Sequence, residues 1–268
     1  MIERNNNGVR YITAENISFP HGFSTRMGGV SGGVFSSLNL GSSEHDGAQA
    51  IRENYRRFCA ALGVSEETLV FTKQVHGDVV RTVRREHAGE GFARHASMDC
   101  DALVTNGSGL TLTVFTADCV PVLLCDPVAG VIGAAHAGWR GTAAGIVLKT
   151  VRAMEALGAQ SARIRAAIGP SLGACCFETD GDVPAALTDA LGEAAAAFWE
   201  TRGAKWHIDL RGVNALWLKR AGVAAPEISP LCTKCRADLF YSHRRDGFPR
   251  GTLAAMISFP PRTSKEGA

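Results

Sequence analysis

Apolar positions along the chain fall into two periodicities that alternate irregularly. Residues 51–62 repeat them at helical spacing and stop at Gly63, which predicts an amphipathic helix closed by a glycine. Residues 69–74, 79–83 and 102–105 are short runs of aliphatic and β-branched residues and predict strands. Three further runs, 110–116, 120–125 and 131–136, make a dense β-rich block. A helix is then expected over 142–157, ending at Gly158, and a strand over 164–169. The Ala-rich stretch 182–201 predicts one long helix, with Pro184 tolerated in its first turn. A strand over 206–210, a short helix over 213–221 ended by Gly222, and a last strand over 253–259 complete the pattern. Helices and strands do not alternate regularly, so a mixed sheet of the α+β type is expected in place of a regular parallel wind. Only the first eight residues and the tail from Pro260 to Glu266 read as low in order, giving one domain over 1–268 with an ordered core of about 10–260.

Composition narrows the function classes. Of 268 residues 46% are hydrophobic and 20% charged, enough to bury a core without staples, and the net charge of +2 comes without any Lys/Arg run. Neither nucleic acid nor an anionic membrane is an expected partner. The longest apolar runs fall far short of the ~20 residues that cross a bilayer. The N-terminus lacks the basic-then-apolar order of a secretory signal, and eight scattered cysteines read as reduced thiols, so the expected location is cytoplasmic.

Candidate chemistry concentrates in the β-rich block. Asp126-Pro127-Val128-Ala129-Gly130 has the residue types of a tight turn. A hairpin centred near Val128 pairs residues whose numbers sum to about 256, which brings Cys119 within one position of His136. A one-residue slip in that register reverses the faces. Such a pair serves either of two chemistries. Imidazole can activate a thiol as nucleophile, or both can ligate zinc, which needs a third protein ligand and an open position for catalysis. His76, at the end of a strand-like run before Gly77, is the candidate third ligand. Spacing alone leaves the two readings open. Cys232-Thr233-Lys234-Cys235 is a single Cys-x-x-Cys, and nothing in the sequence fixes its distance from Cys175-Cys176, so it reads as structural.

Seven motifs carry a resemblance: Phe23-Ser24-Thr25-Arg26-Met27-Gly28-Gly29-Val30-Ser31, Lys73-Gln74-Val75-His76-Gly77, Asp101-Ala102-Leu103-Val104-Thr105, Thr116-Ala117-Asp118-Cys119, His136-Ala137-Gly138-Trp139-Arg140-Gly141, Ile168-Gly169-Pro170 and Phe240-Tyr241-Ser242-His243-Arg244-Arg245-Asp246-Gly247. In this order, from Phe23 to Gly251, the chain resembles the bacterial YfiH-like family, formerly known as multicopper polyphenol oxidases or laccase domain proteins. The resemblance implies a layered α/β/β/α sandwich. It implies purine nucleoside phosphorylase activity on adenosine, inosine and methylthioadenosine with phosphate, together with adenosine deaminase activity, and a metal at His76, Cys119 and His136.

Zinc is the metal expected there, with copper the lesser alternative. Multicopper chemistry needs many imidazoles, commonly as His-x-His, and the eight histidines at 21, 45, 76, 87, 95, 136, 207 and 243 include no such pair. Zinc with two imidazoles and one thiolate keeps a fourth position for a water whose pKa falls to ~7, the nucleophile that deamination at C6 of adenine requires. Zinc deaminases of the cytidine type add a glutamate, which is missing beside His76 and His136. Asp118 is the substitute proton carrier by position, although neighbours on a strand face opposite ways and a carboxylate near a turn equally serves to bind backbone. Phosphate is expected at Arg26, in a glycine-bracketed turn, and at Arg140, near a helix start. His243-Arg244-Arg245-Asp246 reads as a salt-bridged corner. The competing reading is a cysteine hydrolase with Cys119 as nucleophile and His136 or His76 as base, acting on an amide. Some relatives are implicated in trimming peptidoglycan precursors, which suits that chemistry.

Overall fold

The computed structural model describes residues 1–42, 44–95 and 98–260. In chain order the strands begin with β1 (Ile2–Asn6), β2 (Val9–Thr13), β3 (His21–Ser24), β4 (Leu69–Phe71), β5 (Val80–Thr82) and β6 (Ala102–Thr105). They continue as β7 (Leu110–Thr116), β8 (Val120–Asp126), β9 (Val131–Ala137), β10 (Arg165–Ile168), β11 (Glu178–Thr179), β12 (Trp199–Arg202), β13 (Lys205–Ile208), β14 (Glu227–Ile228) and β15 (Leu253–Phe259). The helices are α1 (Ala48–Leu62), α2 (Trp139–Ala143), α3 (Ile146–Ala156), α4 (Asp182–Leu191), α5 (Leu210–Arg220) and α6 (His243–Asp246).

Two six-stranded mixed sheets, ordered β1-β2-β3-β15-β7-β4 and β14-β10-β8-β9-β6-β5, form the two inner layers. Strand alternation sorts their side chains. On β15, Ala254 and Met256 face α1 with Tyr55 and Phe58, while Ala255 and Ile257 face the second sheet with Leu123, Ile132 and Ala134. On β8, Val120, Val122 and Leu124 face the opposite way, into a core built with Ile146 and Val151 of α3, Leu187 of α4 and Val213 and Leu218 of α5. The result is the expected α/β/β/α layering with mixed sheets. β8 and β9 are buried throughout, which is why they read as continuous apolar runs without alternation. Among the described residues no helix is long and apolar enough to cross a membrane.

Several expectations need correction. Ile2–Asn6 is not a loose end: it pairs antiparallel with β2 from Ile2↔Thr13 to Asn6↔Val9, with the chain's amino group against Glu227. The strand expected over 69–74 stops at Phe71. The helix expected over 142–157 is two helices, because Gly145 takes φ 76°, a left-handed backbone that interrupts the helix and that glycine adopts without strain. The Ala-rich stretch 182–201 also breaks. Gly192 at φ 64° ends α4, a short 3-10 turn follows, and Trp199–Arg202 pairs with β13 as a small hairpin. Sheet pairing outweighs alanine's modest helix preference of under ~1 kcal/mol per residue. The tail after Pro260 lies outside the described residues.

Candidate metal centre and active site

The β8–β9 hairpin pairs Pro121↔His136 and Val120↔Ala137, so paired numbers sum to 257, one more than expected. That single step has a chemical consequence. Extended past the start of β8, it places Cys119 diagonal to His136 on the same face, the one that carries Leu123, Cys125, Ile132 and Ala134 toward the inter-sheet layer.

His76 reaches the same point from the loop after β4, with its backbone in the left-handed region at φ 59°. A non-glycine residue rarely adopts that conformation without outside support. Asp101 provides it. Its Oδ1 accepts the His76 N–H at 3.0 Å, and its Oδ2 accepts those of Val75 at 3.2 Å and Gly77 at 2.8 Å. The same carboxylate takes the His136 Nδ1–H at 2.8 Å, with the Asp101 side chain at 0% and that of His136 at 2% exposure. Burial opposes ionisation of Asp101, but the His136 bond and the backbone donors outweigh it and hold its pKa below the usual carboxylate value. An ionised Asp101 fixes the proton on His136 Nδ1 and leaves Nε2 free.

The ligand atoms of His76, Cys119 and His136 all lie within 4.8 Å of one another. The two rings meet edge to face at 4.9 Å, and Gly138 packs against all three residues. Burial works against a Cys119 thiolate, yet His136 and His76 overcome it and bring the thiol down to about 6. Burial likewise opposes charge on His136, and the Cys119 thiolate with Asp101 raises it to about 9. Without a cation each of the two groups therefore favours the charged form of the other. One soft anionic and two imidazole donors, one of them oriented by a buried carboxylate, are a donor set suited to zinc and leave a fourth position open.

The triad borders a cavity of about 290 Å³ lined by His76, Asp118, Cys119, the apolar Trp139, Leu172, Phe177 and Leu210, and the basic His243, Arg244 and Arg250. Asp118 and Cys119 both face it although they are neighbours, because Asp118 sits at φ 95° and breaks the strand alternation. Both Asp118 oxygens are occupied. Oδ1 accepts from the Thr233 hydroxyl at 2.6 Å, and Oδ2 accepts from the Ser242 hydroxyl at 3.0 Å and the Arg244 N–H at 2.6 Å.

The two arginines expected at phosphate do not line this cavity. Arg26 gives its guanidinium to the Ser36 and Ala237 carbonyls and covers the Tyr241 ring at 4.6 Å. Arg140 is exposed and lies over Trp139 at 4.3 Å, outside the lining. The arginines that line it are Arg244 and Arg250. Arg244 lies in a motif whose charge pattern suggests only a structural corner, and Arg250 follows a Phe248-Pro249 pair that carries no local signal. The Cys-x-x-Cys at 232–235 does meet Cys175 and Cys176, with the four sulfurs within 4.8 Å of one another.

Fold and site together define an α+β protein built on two six-stranded inner sheets, with a Cys-His-His centre where the start of β8 and the end of β9 meet the His76 loop. The chain belongs to the family described as multi-copper polyphenol oxidoreductase laccase, whose profile matches residues 20–260. It is 41% identical over 263 residues to a purine nucleoside phosphorylase of Deinococcus radiodurans, covering 97% of each chain. It is 42% identical over 237 residues to the purine nucleoside phosphorylase SCO2081 of Streptomyces coelicolor, covering 88% of this chain and 93% of that one. Among solved structures, YlmD from Geobacillus stearothermophilus matches with a TM-score of 0.89 at 34% identity, over 96% of this chain and 98% of the other. The Neisseria meningitidis protein NMB0706 matches with a TM-score of 0.81 at 33% identity, over 96% and 100%.

Proposed function

We propose that this protein is a metal-dependent purine nucleoside phosphorylase that also deaminates adenosine, with zinc held by His76, Cys119 and His136. The observation that carries the reading is the meeting of three features at one cavity: the metal-ligand triad, an aromatic and aliphatic wall, and two arginines, Arg244 and Arg250. Among the described residues neither Arg244 nor Arg250 forms an ion pair within 4.0 Å; burial lowers the Arg250 pKa, against the longer-range pull of Asp118, Cys119 and Asp246. A half-buried cation facing a cavity is stabilised by an anion entering it. Relatives named purine nucleoside phosphorylase support the choice of phosphate and a nucleoside.

In phosphorolysis a phosphate oxygen bonds to C1′ of the ribose, the C1′–N9 bond breaks, and its electron pair leaves with the purine, which takes up a proton. Arg250, together with the Nε and Nη2 donors that Arg244 keeps beside its Nη1 bonds to the Cys176 and Glu178 carbonyls, holds and orients the phosphate, and Trp139, Phe177 and Leu172 hold the planar base away from water. His243 Nδ1 accepts from Arg250 Nε at 3.4 Å, which leaves its Nε2–H as a donor for the departing base. Asp118, expected as a proton carrier, acts instead as a positioning residue, since its hydrogen bonds tie Thr233, Ser242 and Arg244 to the floor of the cavity. A zinc ion bound by the triad supplies Lewis acidity and an acidified water, the nucleophile that replacement of the adenine C6 amino group needs. Asp101 keeps His76 and His136 aimed at that point.

The cysteine hydrolase reading draws on one observation, the Cys119 thiol within 4.8 Å of the His76 and His136 ring nitrogens, which lower its pKa. One experiment separates the two. Purified protein is analysed for metal and incubated with adenosine and phosphate. Hypoxanthine with ribose-1-phosphate is expected, both lost in Cys119→Ala and on chelation. Adenine with ribose-1-phosphate would restrict the reading to phosphorolysis. Full turnover after chelation would overturn the metal-dependent reading, and a thioester trapped at Cys119 would establish the hydrolase.

A further inference from the structure

The chain places a second cluster of ligand atoms beside the cavity, made from two distant segments. The Sγ atoms of Cys175, Cys176, Cys232 and Cys235 lie within 4.8 Å of one another, with Cys176–Cys235 at 3.4 Å and Cys175–Cys235 at 3.7 Å. A tetrahedron of thiolates around zinc, with Zn–S of about 2.3 Å, has edges of about 3.8 Å. A single disulfide requires two sulfurs to meet and gives no reason for four.

The backbone is built to bring these sulfurs together. Ser171 and Cys232 form an isolated parallel bridge, and the Thr233 N–H donates to the Ser171 carbonyl at 3.0 Å. Gly173 permits the approach: a Cβ there would stand 3.3 Å from Cys175 Sγ, 3.4 Å from Cys232 Cβ and 2.9 Å from the Arg211 guanidinium. The Gly173 N–H donates to Cys232 Sγ at 3.3 Å, and the Cys235 N–H also points to that sulfur. Backbone N–H groups directed at the Cys232 sulfur suit a metal-bound thiolate there. Cys232 is buried and anchors the cluster, whereas Cys175 and Cys235 are exposed and give a metal a way in.

We propose that Cys175, Cys176, Cys232 and Cys235 form a structural four-thiolate zinc site that clamps the two segments bordering the cavity. Leu172 and Phe177 flank the first pair of cysteines and line the cavity. Arg244 donates to the carbonyls of Cys176 and Glu178, and Arg245 to those of Thr233 and Lys234. The clamp therefore fixes the strap on which Arg244 faces the cavity. It is independent of the metal at the Cys119 centre and of the reaction performed there.

The test uses full-length Cys119→Ser, in which the first centre has no thiolate. Reduced, metal-free protein is titrated with zinc, and separately with cobalt(II). The expected result is one tightly bound zinc per chain through the four cysteines, an intense sulfur-to-cobalt charge-transfer band, and zinc protection of all four thiols from alkylation. The band is expected to vanish in Cys119→Ser carrying Cys175→Ser and Cys176→Ser, a variant that leaves the buried Cys232 in place. Three results would overturn the proposal. One is a cobalt complex without the charge-transfer band, another is alkylation at equal rates with and without zinc, and the third is a disulfide within the cluster of the protein as purified. Iron in place of zinc in the purified protein would overturn the choice of metal.

Discussion

Asp101 holds His136 through its Nδ1–H at 2.8 Å while binding the backbone N–H groups of Val75, His76 and Gly77, so one buried carboxylate sets both imidazoles of the centre. Asp101→Asn keeps the shape but turns an amide N–H₂ toward backbone donors. Leaving a buried donor unpaired costs ~1–3 kcal/mol. Zinc affinity is expected to fall roughly 10–100-fold, as for other outer-shell partners of metal-bound histidine. Competition against a chelating dye reads this directly, and unchanged affinity would show that His76 and His136 hold their positions without Asp101.

Cysteine reactivity follows the opposing environments of two thiols. In metal-free protein Cys119 has its pKa lowered to about 6 by His136 and His76 against its burial, while burial raises Cys59 to about 12. Lowering means that thiolate is present above pH 6 and is lost as pH falls through that value. Alkylation of Cys119 is expected to be fast at pH 7 and to drop about tenfold per pH unit below 6. Cys59 stays unmodified throughout, and zinc protects Cys119. Peptide mapping across a pH series resolves both sites, and a Cys119 profile centred near 9 would disprove the lowering by His136 and His76.

The arginines give a paired prediction. Replacing Arg250 by Gln removes a charge-assisted contact worth ~1.5–3 kcal/mol, so the KM for phosphate is expected to rise roughly 10–100-fold with a smaller change in the nucleoside KM. Arg26→Gln removes a guanidinium spent on the Ser36 and Ala237 carbonyls and is expected to leave the phosphate KM within about twofold. Steady-state kinetics with phosphate varied decide between them, and the reverse pattern would return the phosphate to the Arg26 turn.

The outcome for these residues shows where sequence reading stops. β6, β7 and β15 match their expected bounds because short-range alternation and turn residues determine a strand locally. The pairing of Cys119 with His136 is legible to within one residue for the same reason. Asp101 and Arg250 carry no such local signal, because their roles depend on segments the fold brings together from afar. Asp101 reads as an ordinary polar residue before a strand until the loop carrying His76 folds over it. The two cysteine pairs are sixty residues apart at Cys175 and Cys235, and no periodicity measures that distance. The helix breaks at Gly145 and Gly192 are visible as glycines, but the left-handed backbone that makes them decisive is imposed by packing and by the β12–β13 pairing.

Gly141 separates stability from metal binding. In α2 a change to Ala favours the helix by ~1 kcal/mol on intrinsic preference. However, a Cβ at 141 would lie 2.6 Å from the Gly77 carbonyl oxygen, a backbone atom that cannot rotate away. Relieving such overpacking costs ~1–3 kcal/mol and must displace either α2 or the loop over 75–77. That loop carries His76 and is held by three N–H bonds to the single carboxylate of Asp101, whereas α2 is fastened to α5 through Thr142, whose carbonyl accepts the Trp217 indole N–H and whose hydroxyl accepts from the Asn214 amide. The loop is therefore the part that yields. Gly141→Ala is expected to shift the thermal midpoint of the metal-free protein little, since gain and strain nearly cancel, while zinc affinity at the His76–Cys119–His136 centre falls at least about tenfold. Calorimetry of the metal-free protein alongside a zinc titration gives both readings. A large loss of stability with unchanged zinc affinity would mean that α2, not the His76 loop, moves.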